Sequence, residues 1–178
     1  MMRPAVFLDR DGVINHALVR DGRPYPPLSL AELQILPGVA EALCTLRSRG
    51  YALIVVTNQP DVGRGTLSRH SVDRLHQRLQ YELTLDAILT CFHDGAAGCD
   101  CRKPKPGLLL RAAAALGIEL RASFMVGDRW RDVQAGQRAG CRTFFIDRGY
   151  DEEQPESWDY RVGSLPEAAR IITESAAL

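Results

Sequence analysis

Short apolar runs alternate along the chain with segments whose apolar residues recur every three to four positions. The apolar runs lie at residues 5–8, 51–56, 86–90, 123–126 and 143–146. Short runs that are mainly apolar, without an alternating polar face, are typical of strands buried on both faces of a sheet. The alternation predicts an α/β fold, a Rossmann-like doubly wound parallel sheet with right-handed crossovers and helices on both faces.

The segments between and after these runs have the period of amphipathic helices. They are predicted at residues 39–49, about 67–83, 108–116, 132–139 and 165 to about 176. His70 and His76 fall on the second helix. The sequence shows no partner for either side chain, so both are expected to lie on the surface. Residues 16–30 carry one Gly and three Pro after position 21 and are predicted to be a loop.

The length and charge of the chain limit its organisation and its partners. A chain of 178 residues suggests one domain spanning 1–178. Lys plus Arg equals Asp plus Glu at 22 each, which argues against bulk electrostatic binding to nucleic acid or to an anionic membrane. No apolar run approaches the ~20 residues that span a bilayer. The first residues run directly into a strand, so no signal peptide is expected and a cytoplasmic location is the default. A monomer is expected because no uncovered apolar stripe stands out in the sequence.

Polar residues follow three of the predicted strands at the point where each strand ends. Asp9 and Asp11 follow the first strand, Thr57 the second and Asp128 the fourth, and Lys103 lies on the loop before the helix that leads to Asp128. A parallel sheet places all these strand ends at one edge. Carboxylates packed together repel one another, so a divalent cation is expected among them, and an all-oxygen site suits Mg²⁺.

Phosphoryl transfer is the chemistry that this set of groups fits. An ionised Asp can attack phosphorus and form an acyl phosphate, and a second Asp can protonate the leaving oxygen and then activate water. Magnesium, an ammonium group and a hydroxyl would offset charge on the phosphoryl oxygens. Receiver domains of signalling proteins use similar groups, but their phospho-acceptor lies on a middle strand, so the order of motifs here argues against them.

The chain resembles phosphatases of the haloacid dehalogenase superfamily over about residues 4–150. Four superfamily motifs occur in order, namely Asp9-Arg10-Asp11-Gly12, Thr57, Lys103-Pro104, and Gly127-Asp128 followed by Asp132. Any one of these motifs is a weak signal, whereas four in order at strand ends are specific.

The resemblance implies a role for each motif residue. Asp9 is expected to be the nucleophile and Asp11 the general acid and base, while Thr57 and Lys103 hold the phosphoryl group. Magnesium is expected on Asp9, on the backbone carbonyl of Asp11 and on Asp128. Asp132 is expected to orient its neighbours.

A cluster of cysteines and one histidine predicts a second metal site. Five cysteines are an odd number, and three of them crowd into eleven residues, which indicates metal ligation rather than disulfides. The expected ligands are Cys91, His93, Cys99 and Cys101. Three thiolates and an imidazole complete a tetrahedral shell, so a structural Zn²⁺ is predicted in the loop 91–101, where it would fix the segment that delivers Arg102 and Lys103.

This loop resembles that of a zinc-bearing, nearly capless branch of the superfamily. The branch contains heptose-1,7-bisphosphate 7-phosphatases and histidinol-phosphate phosphatases, and residues 99–104 match both types. Residues 63–65, Gly-Arg-Gly, favour the heptose type, whereas Arg129 stands where that type usually has Lys. The resemblance implies substrate-binding roles for Asn58, Gln59, Arg64, Arg102 and Arg129.

The expected activity is a magnesium-dependent phosphomonoesterase that works through a phosphoaspartate. The favoured substrate is D-glycero-D-manno-heptose 1,7-bisphosphate, cleaved at the 7-phosphate, and histidinol phosphate is the alternative. A non-catalytic phosphosugar-binding module is an alternative of another class. Such a module would be expected to lose Asp9 or Asp11, and this chain keeps both.

Overall fold

A parallel sheet of six strands is the centre of the computed structural model, which describes residues 2–175. In chain order, the strands of the described residues are β1 (Ala5–Leu8), β2 (Leu18–Arg20), β3 (Arg23–Tyr25), β4 (Ala52–Asn58), β5 (Ala87–Cys91), β6 (Phe124–Gly127), β7 (Arg142–Ile146) and β8 (Tyr160–Val162). All but β2 and β3, which form a separate hairpin, belong to the six-stranded sheet. The order in the sheet is β5-β4-β1-β6-β7-β8, with every neighbouring pair parallel. This is the strand order of a doubly wound dinucleotide-binding sheet, and the predicted fold class is confirmed.

The helices lie where the periodicity predicts them, with small shifts at their ends. They are α1 (Val39–Ser48), α2 (Pro60–Gly63), α3 (Arg69–Leu83), α4 (Gly107–Leu116), α5 (Trp130–Ala139) and α6 (Leu165–Ser175). The short α2 falls in a segment expected to be a loop, and α5 starts two residues earlier than predicted. Ala176, the predicted end of the last helix, lies outside the described residues. Within residues 2–175, no helix combines the length and apolar character needed to cross a membrane.

Helices cover both faces of the sheet, because successive side chains of the fully buried β1 pack against helices on opposite faces. Val6 and Leu8 pack with α1, α3 and α6, whereas Ala5 and Phe7 pack with α4 and α5 on the other face. Burial on both faces fixes β1 at the centre of the sheet. The residue that follows it, Asp9, is therefore held by two layers of core.

Besides α2, the sequence did not predict the β2–β3 hairpin or the last strand of the sheet. Residues 16–30, expected to be a loop, contain the antiparallel hairpin of β2 and β3. Strand β3 and Pro26, which follows it, line the cavity described below. The last strand, β8, has three residues and pairs with β7.

Candidate active site

The carboxyl ends of β1, β4 and β6 meet beside a cavity of about 470 Å³. Asp9, Thr57 and Asp132 line this cavity, and Asp128 lies buried behind them. Carboxylate oxygens of Asp9, Asp128 and Asp132 all lie within 4.8 Å of one another. The sheet thus brings together the residues that the strand ends predicted to be neighbours.

Lys103 is the buried cation of this cluster. Its Nζ donates to Asp9 Oδ1 at 2.8 Å and to the carbonyl of Val56 at 2.7 Å, and it lies 2.6 Å from Asp132 Oδ1. Burial by itself lowers the pKa of Lys103, but the carboxylates of Asp132 and Asp9 outweigh it and raise the pKa. Asn58 braces the backbone of Lys103 through two hydrogen bonds of 3.1 Å. The side chain is therefore a fixed ammonium.

One ammonium does not balance three carboxylates. Burial raises the pKa of Asp9 to about 6, and Asp132 acts in the same direction while Lys103 opposes it. Burial, with Asp9 and Asp132 next, also raises the pKa of Asp128. Asp128 Oδ1 is buried and has no hydrogen-bond partner within the described residues. A divalent cation would satisfy this oxygen and the excess negative charge, so the donor set fits Mg²⁺.

Asp11 is held apart from the three clustered carboxylates. Its two oxygens accept from Arg10 Nε and Nη2, each at 3.0 Å, and also from Asn15 Nδ2 at 2.9 Å and Gln59 Nε2 at 3.0 Å. Burial alone would raise the pKa of Asp11, but Arg10 and these hydrogen bonds lower it overall. Arg10 is fully buried, and its Nη1 lies 3.1 Å from His76 Nε2. The expectation that His76 is a surface residue without a partner is therefore wrong.

The residues expected to bind substrate have different surroundings. Asn58, Arg64, Arg102 and Arg129 line the cavity. Gln59 does not line it, because this buried side chain donates to Asp11 and Thr57. The cavity is also lined by Arg23 and Arg131, which the sequence patterns did not single out.

Two of these arginines already have carboxylate partners. Arg129 Nε donates to Glu152 Oε1 at 2.7 Å, and its Nη2 makes a second, shorter contact with Glu152 Oε2. Arg64 pairs with Asp61 at 3.2 Å. Arg102 instead donates to the backbone carbonyl of His93 at 3.3 Å, so it is attached to the cysteine-rich loop.

Tyr150 holds Asp128, one of the expected Mg²⁺ ligands. Its hydroxyl donates to Asp128 Oδ2 at 2.8 Å. Gly12 makes room for this contact: its φ is +84°, and a Cβ there would lie 1.9 Å from Asp128 Oδ2 and 2.9 Å from the Tyr150 hydroxyl. The Gly in the first motif is therefore required for Asp128 to approach. No sequence pattern links Tyr150 to that motif.

The four expected zinc ligands also converge. Cys91 Sγ lies 3.5 Å from His93 Nδ1, 3.7 Å from Cys99 Sγ and 3.2 Å from Cys101 Sγ. Zn–S bonds of about 2.3 Å at tetrahedral angles place sulfur atoms about 3.8 Å apart, so this set fits a zinc ion. A Cβ on Gly63 would lie 2.5 Å from the carbonyl of Phe92, so α2 packs directly against this loop.

Comparisons with known proteins identify relatives of the whole arrangement. Residues 15–140 match the family described as haloacid dehalogenase-like hydrolase. The chain is 40% identical over 154 residues to the D-glycero-beta-D-manno-heptose-1,7-bisphosphate 7-phosphatase of Photorhabdus laumondii, covering 79% of this chain and 78% of that protein. It is 36% identical over 186 residues to the protein of the same name from Escherichia coli K12, covering 95% and 93%.

A solved structure is similar over nearly the same length. The D,D-heptose 1,7-bisphosphate phosphatase of B. bronchiseptica, complexed with magnesium and phosphate, superimposes with a TM-score of 0.83. The two sequences are 28% identical, and the match covers 97% of this chain and 99% of the other.

Proposed function

The chain belongs to the haloacid dehalogenase-like hydrolase family, and from that premise we propose that it is a phosphatase that cleaves the 7-phosphate of D-glycero-β-D-manno-heptose 1,7-bisphosphate. The observation that carries the reaction is the buried ammonium of Lys103 between Asp9 and Asp132, near an Asp128 oxygen that has no hydrogen-bond partner among residues 2–175. The substrate follows from the relatives, which share 34–40% identity with this chain and carry that name.

Asp9 is the nucleophile of this proposal. It attacks phosphorus, the bond to the sugar oxygen breaks, and an acyl phosphate remains on Asp9 until water hydrolyses it. The side chains of Asp9 and Asp128 and the backbone carbonyl of Asp11 would hold Mg²⁺. When bound, that ion supplies positive charge to the phosphoryl oxygens and keeps Asp9 ionised. Asp132 holds Lys103 in place, and the backbone N–H of Arg129 in turn donates to Asp132 Oδ2 at 3.0 Å.

Asp11 moves the proton in both halves of the reaction. It donates a proton to the departing sugar oxygen and later removes one from the attacking water. The two-point contact with Arg10 favours the ionised form, which is the form that activates water. A phosphate dianion arriving beside Asp11 raises the pKa of that carboxyl, because like charges disfavour ionisation, and this supports the acid form for the first step.

We expect Thr57, Asn58 and Lys103, which line the cavity, to bind the phosphoryl group, and Arg64 and Arg102, which also line it, to bind the sugar. Gln59 acts indirectly, since its amide spans Asp11 and the Thr57 hydroxyl. A structural Zn²⁺ on Cys91, His93, Cys99 and Cys101 would fix the loop from which Arg102 and Lys103 follow. Membership in a hydrolase family removes the support for a non-catalytic phosphosugar-binding module.

A phosphate-release assay tests the proposal. The magnesium-supplemented protein is given both anomers of the heptose bisphosphate, histidinol phosphate and fructose 1,6-bisphosphate. The β-heptose bisphosphate is expected to have the highest kcat/KM. A higher value for histidinol phosphate would reassign the substrate while leaving the chemistry in place. No release from any of these esters would contradict the enzymatic proposal.

A further inference from the structure

The turn of residues 147–150, which follows β7, reaches the first motif and the Asp128 strand end together. Asp147 Oδ1 accepts from the N–H of Gly149 at 2.9 Å, and the same carboxylate pairs with an arginine of β8. Gly149 has a φ of +68°, a conformation that glycine adopts readily, and it separates Arg148 from Tyr150. The turn is therefore anchored to the last strand of the sheet, while two long side chains extend from it.

Arg148 makes a two-point contact with the first motif. Its Nε donates to the carbonyl of Gly12 at 3.0 Å, and its Nη2 donates to the same oxygen at 2.7 Å. Gly12 is buried, although the Arg148 side chain is exposed. Gly12, Arg148 and Tyr150 also line one cavity of about 120 Å³. Because a buried carbonyl without a donor is unfavourable, this contact fixes the direction of the peptide that follows Gly12.

Several hydrogen bonds of the loop after β1 are internal to it. The carbonyl of Arg10 accepts from the N–H groups of residues 13–15 at 2.8–3.3 Å, and Gly12 N–H donates to the carbonyl of Asn15 at 2.7 Å. Glycine has no Cβ to limit rotation about its own bonds, so sterics alone do not fix the peptides on either side of Gly12. The two hydrogen bonds from Arg148 supply a restraint from outside the loop.

That restraint acts beside an expected magnesium ligand. The carbonyl of Asp11 belongs to the peptide before Gly12, and the carbonyl held by Arg148 belongs to the peptide after it. A rotation at Gly12 would turn the Asp11 carbonyl relative to the carboxylate of Asp128. Tyr150, from the same turn as Arg148, donates to Asp128 Oδ2 at 2.8 Å. One turn thus holds the surroundings of two expected ligands that come from different strands.

We propose that Arg148 is a positioning residue for magnesium, because its contact with Gly12 holds the carbonyl of Asp11 in the direction that the ion requires. The inference rests on the proposed function for the set of magnesium ligands, and it does not depend on which sugar phosphate is the substrate. Charge and geometry have opposite effects here. A nearby cation by itself repels Mg²⁺, whereas a correctly directed carbonyl attracts it.

Calorimetric titration of Mg²⁺ into the zinc-loaded, magnesium-free protein tests the inference without turnover. Arg148→Met keeps most of the side-chain stem and removes both donors. We expect Mg²⁺ to bind about tenfold more weakly, as is typical when a group that orients a metal ligand is removed. If Arg148 contributed only its charge, the same substitution would tighten binding. An affinity that is unchanged or higher in Arg148→Met would overturn the inference.

Arg148→Lys separates the charge from the hydrogen bonds. Lysine keeps the charge and offers one compact donor group in place of the planar fork, so its Mg²⁺ affinity should lie between those of Arg148→Met and the wild type. Weaker binding in Arg148→Lys than in Arg148→Met would show that repulsion governs the affinity, and it would also overturn the inference. Arg49→Met, at an exposed position after α1, is the matched control and should bind Mg²⁺ as the wild type does.

Thermal unfolding of the same samples distinguishes positioning from a general structural role. Without Mg²⁺, Arg148→Met should unfold at a temperature similar to that of the wild type, whereas the rise in melting temperature that Mg²⁺ produces should be smaller. An equal rise in both proteins would contradict the inference. Phosphate release keeps the two proposals apart, since absent release with the expected loss of Mg²⁺ affinity contradicts only the proposed function.

Discussion

The guanidinium of Arg10 and the carboxylate of Asp11 form a two-point contact between adjacent residues, with both hydrogen bonds at 3.0 Å. Arg10 is fully buried, so this contact is protected from solvent screening, and His76 Nε2 lies 3.1 Å from the same guanidinium. The carboxyl group proposed to move protons is therefore oriented from behind by a side chain that never reaches the cavity.

Arg10→Lys keeps a positive charge but removes the two-point geometry. We expect kcat to fall about tenfold or more while KM for an aryl phosphate stays within about threefold, because Asp11 would be misdirected without loss of substrate contacts. Steady-state kinetics with circular dichroism measures this, and Arg49→Lys on the surface is the control. A kcat equal to that of the control would rule out an orienting role for Arg10.

The stability of the fold is expected to depend on His76 in mildly acidic solution. Burial, and then the Arg10 guanidinium, lowers the pKa of His76 from 6.5 to about 4. The unfolded chain therefore binds this proton more tightly than the folded protein does. The free energy of unfolding is fully retained above about pH 6.5 and falls towards pH 4, by at most about 1.4 kcal/mol per pH unit.

Urea unfolding between pH 4.5 and 7.5 measures that slope. His76→Gln, whose amide can still accept from Arg10, should flatten it, whereas His70→Gln on the exposed face of the same helix should not. Equal slopes in the two variants would show that His76 is not the group responsible.

Asp9→Asn replaces the proposed nucleophilic carboxylate with an uncharged amide of nearly the same shape. Phosphate release should fall by more than about 10³-fold, and no phosphorylated protein should be trapped by rapid acid quench followed by mass spectrometry. The melting temperature should not decrease, because one of three crowded carboxylates is neutralised. Asp73→Asn on the surface of α3 is the control, and near-normal turnover in Asp9→Asn would contradict the mechanism.

Tyr150→Phe deletes the hydroxyl that donates to Asp128. Partners of metal-ligating carboxylates typically contribute about ten- to a hundredfold to metal affinity, so the Mg²⁺ concentration that gives half-maximal activity should rise by up to that factor. Activity at saturating magnesium should largely recover. Tyr81→Phe, at a highly exposed position, serves as the reference. A magnesium dependence identical to that reference would leave Tyr150 without a role at the metal site.

Removal of zinc should loosen the segment that carries Lys103. Cys91→Ser, or treatment with a zinc chelator, is expected to lower the melting temperature by about 10 °C or more and to reduce activity, because the ligands would no longer be crosslinked by the ion. Metal content by mass spectrometry and thermal unfolding measure both effects. Cys44→Ser, at an exposed cysteine outside the cluster, should match the wild type. Unchanged stability in zinc-free protein would refute the structural role of this ion.

The sequence predicted the elements that are marked by a pattern of apolar residues within their own segment. Buried strands such as β1 and β4 appear as uninterrupted apolar runs, and the residues at their ends were correctly expected to meet. The strand β8 was missed because Tyr160–Val162 has only three residues, one of them charged, and gains its stability by pairing with β7. The hairpin of β2 and β3 was missed for a similar reason, since Arg23–Tyr25 contains a proline.

Residues that orient others were harder to find than residues that resemble a motif. Tyr150 contacts Asp128 across 22 positions and His76 contacts Arg10 across 66, so no spacing rule connects them. The contact between Arg129 and Glu152 spans 23 positions and is likewise not indicated by any spacing rule. A sequence shows which groups are present, but the effective charge of each depends on partners that only the fold supplies.

The place of β1 in the sheet has a consequence for how the enzyme is made. Its two neighbours in the sheet, β4 and β6, both come later in the chain and are synthesised after it, and β6 is complete only at Gly127. A nascent chain therefore carries Asp9 long before it contains Lys103, Asp128 or Asp132. The active site can therefore be complete only late in translation, after β6 has been synthesised and has paired with β1.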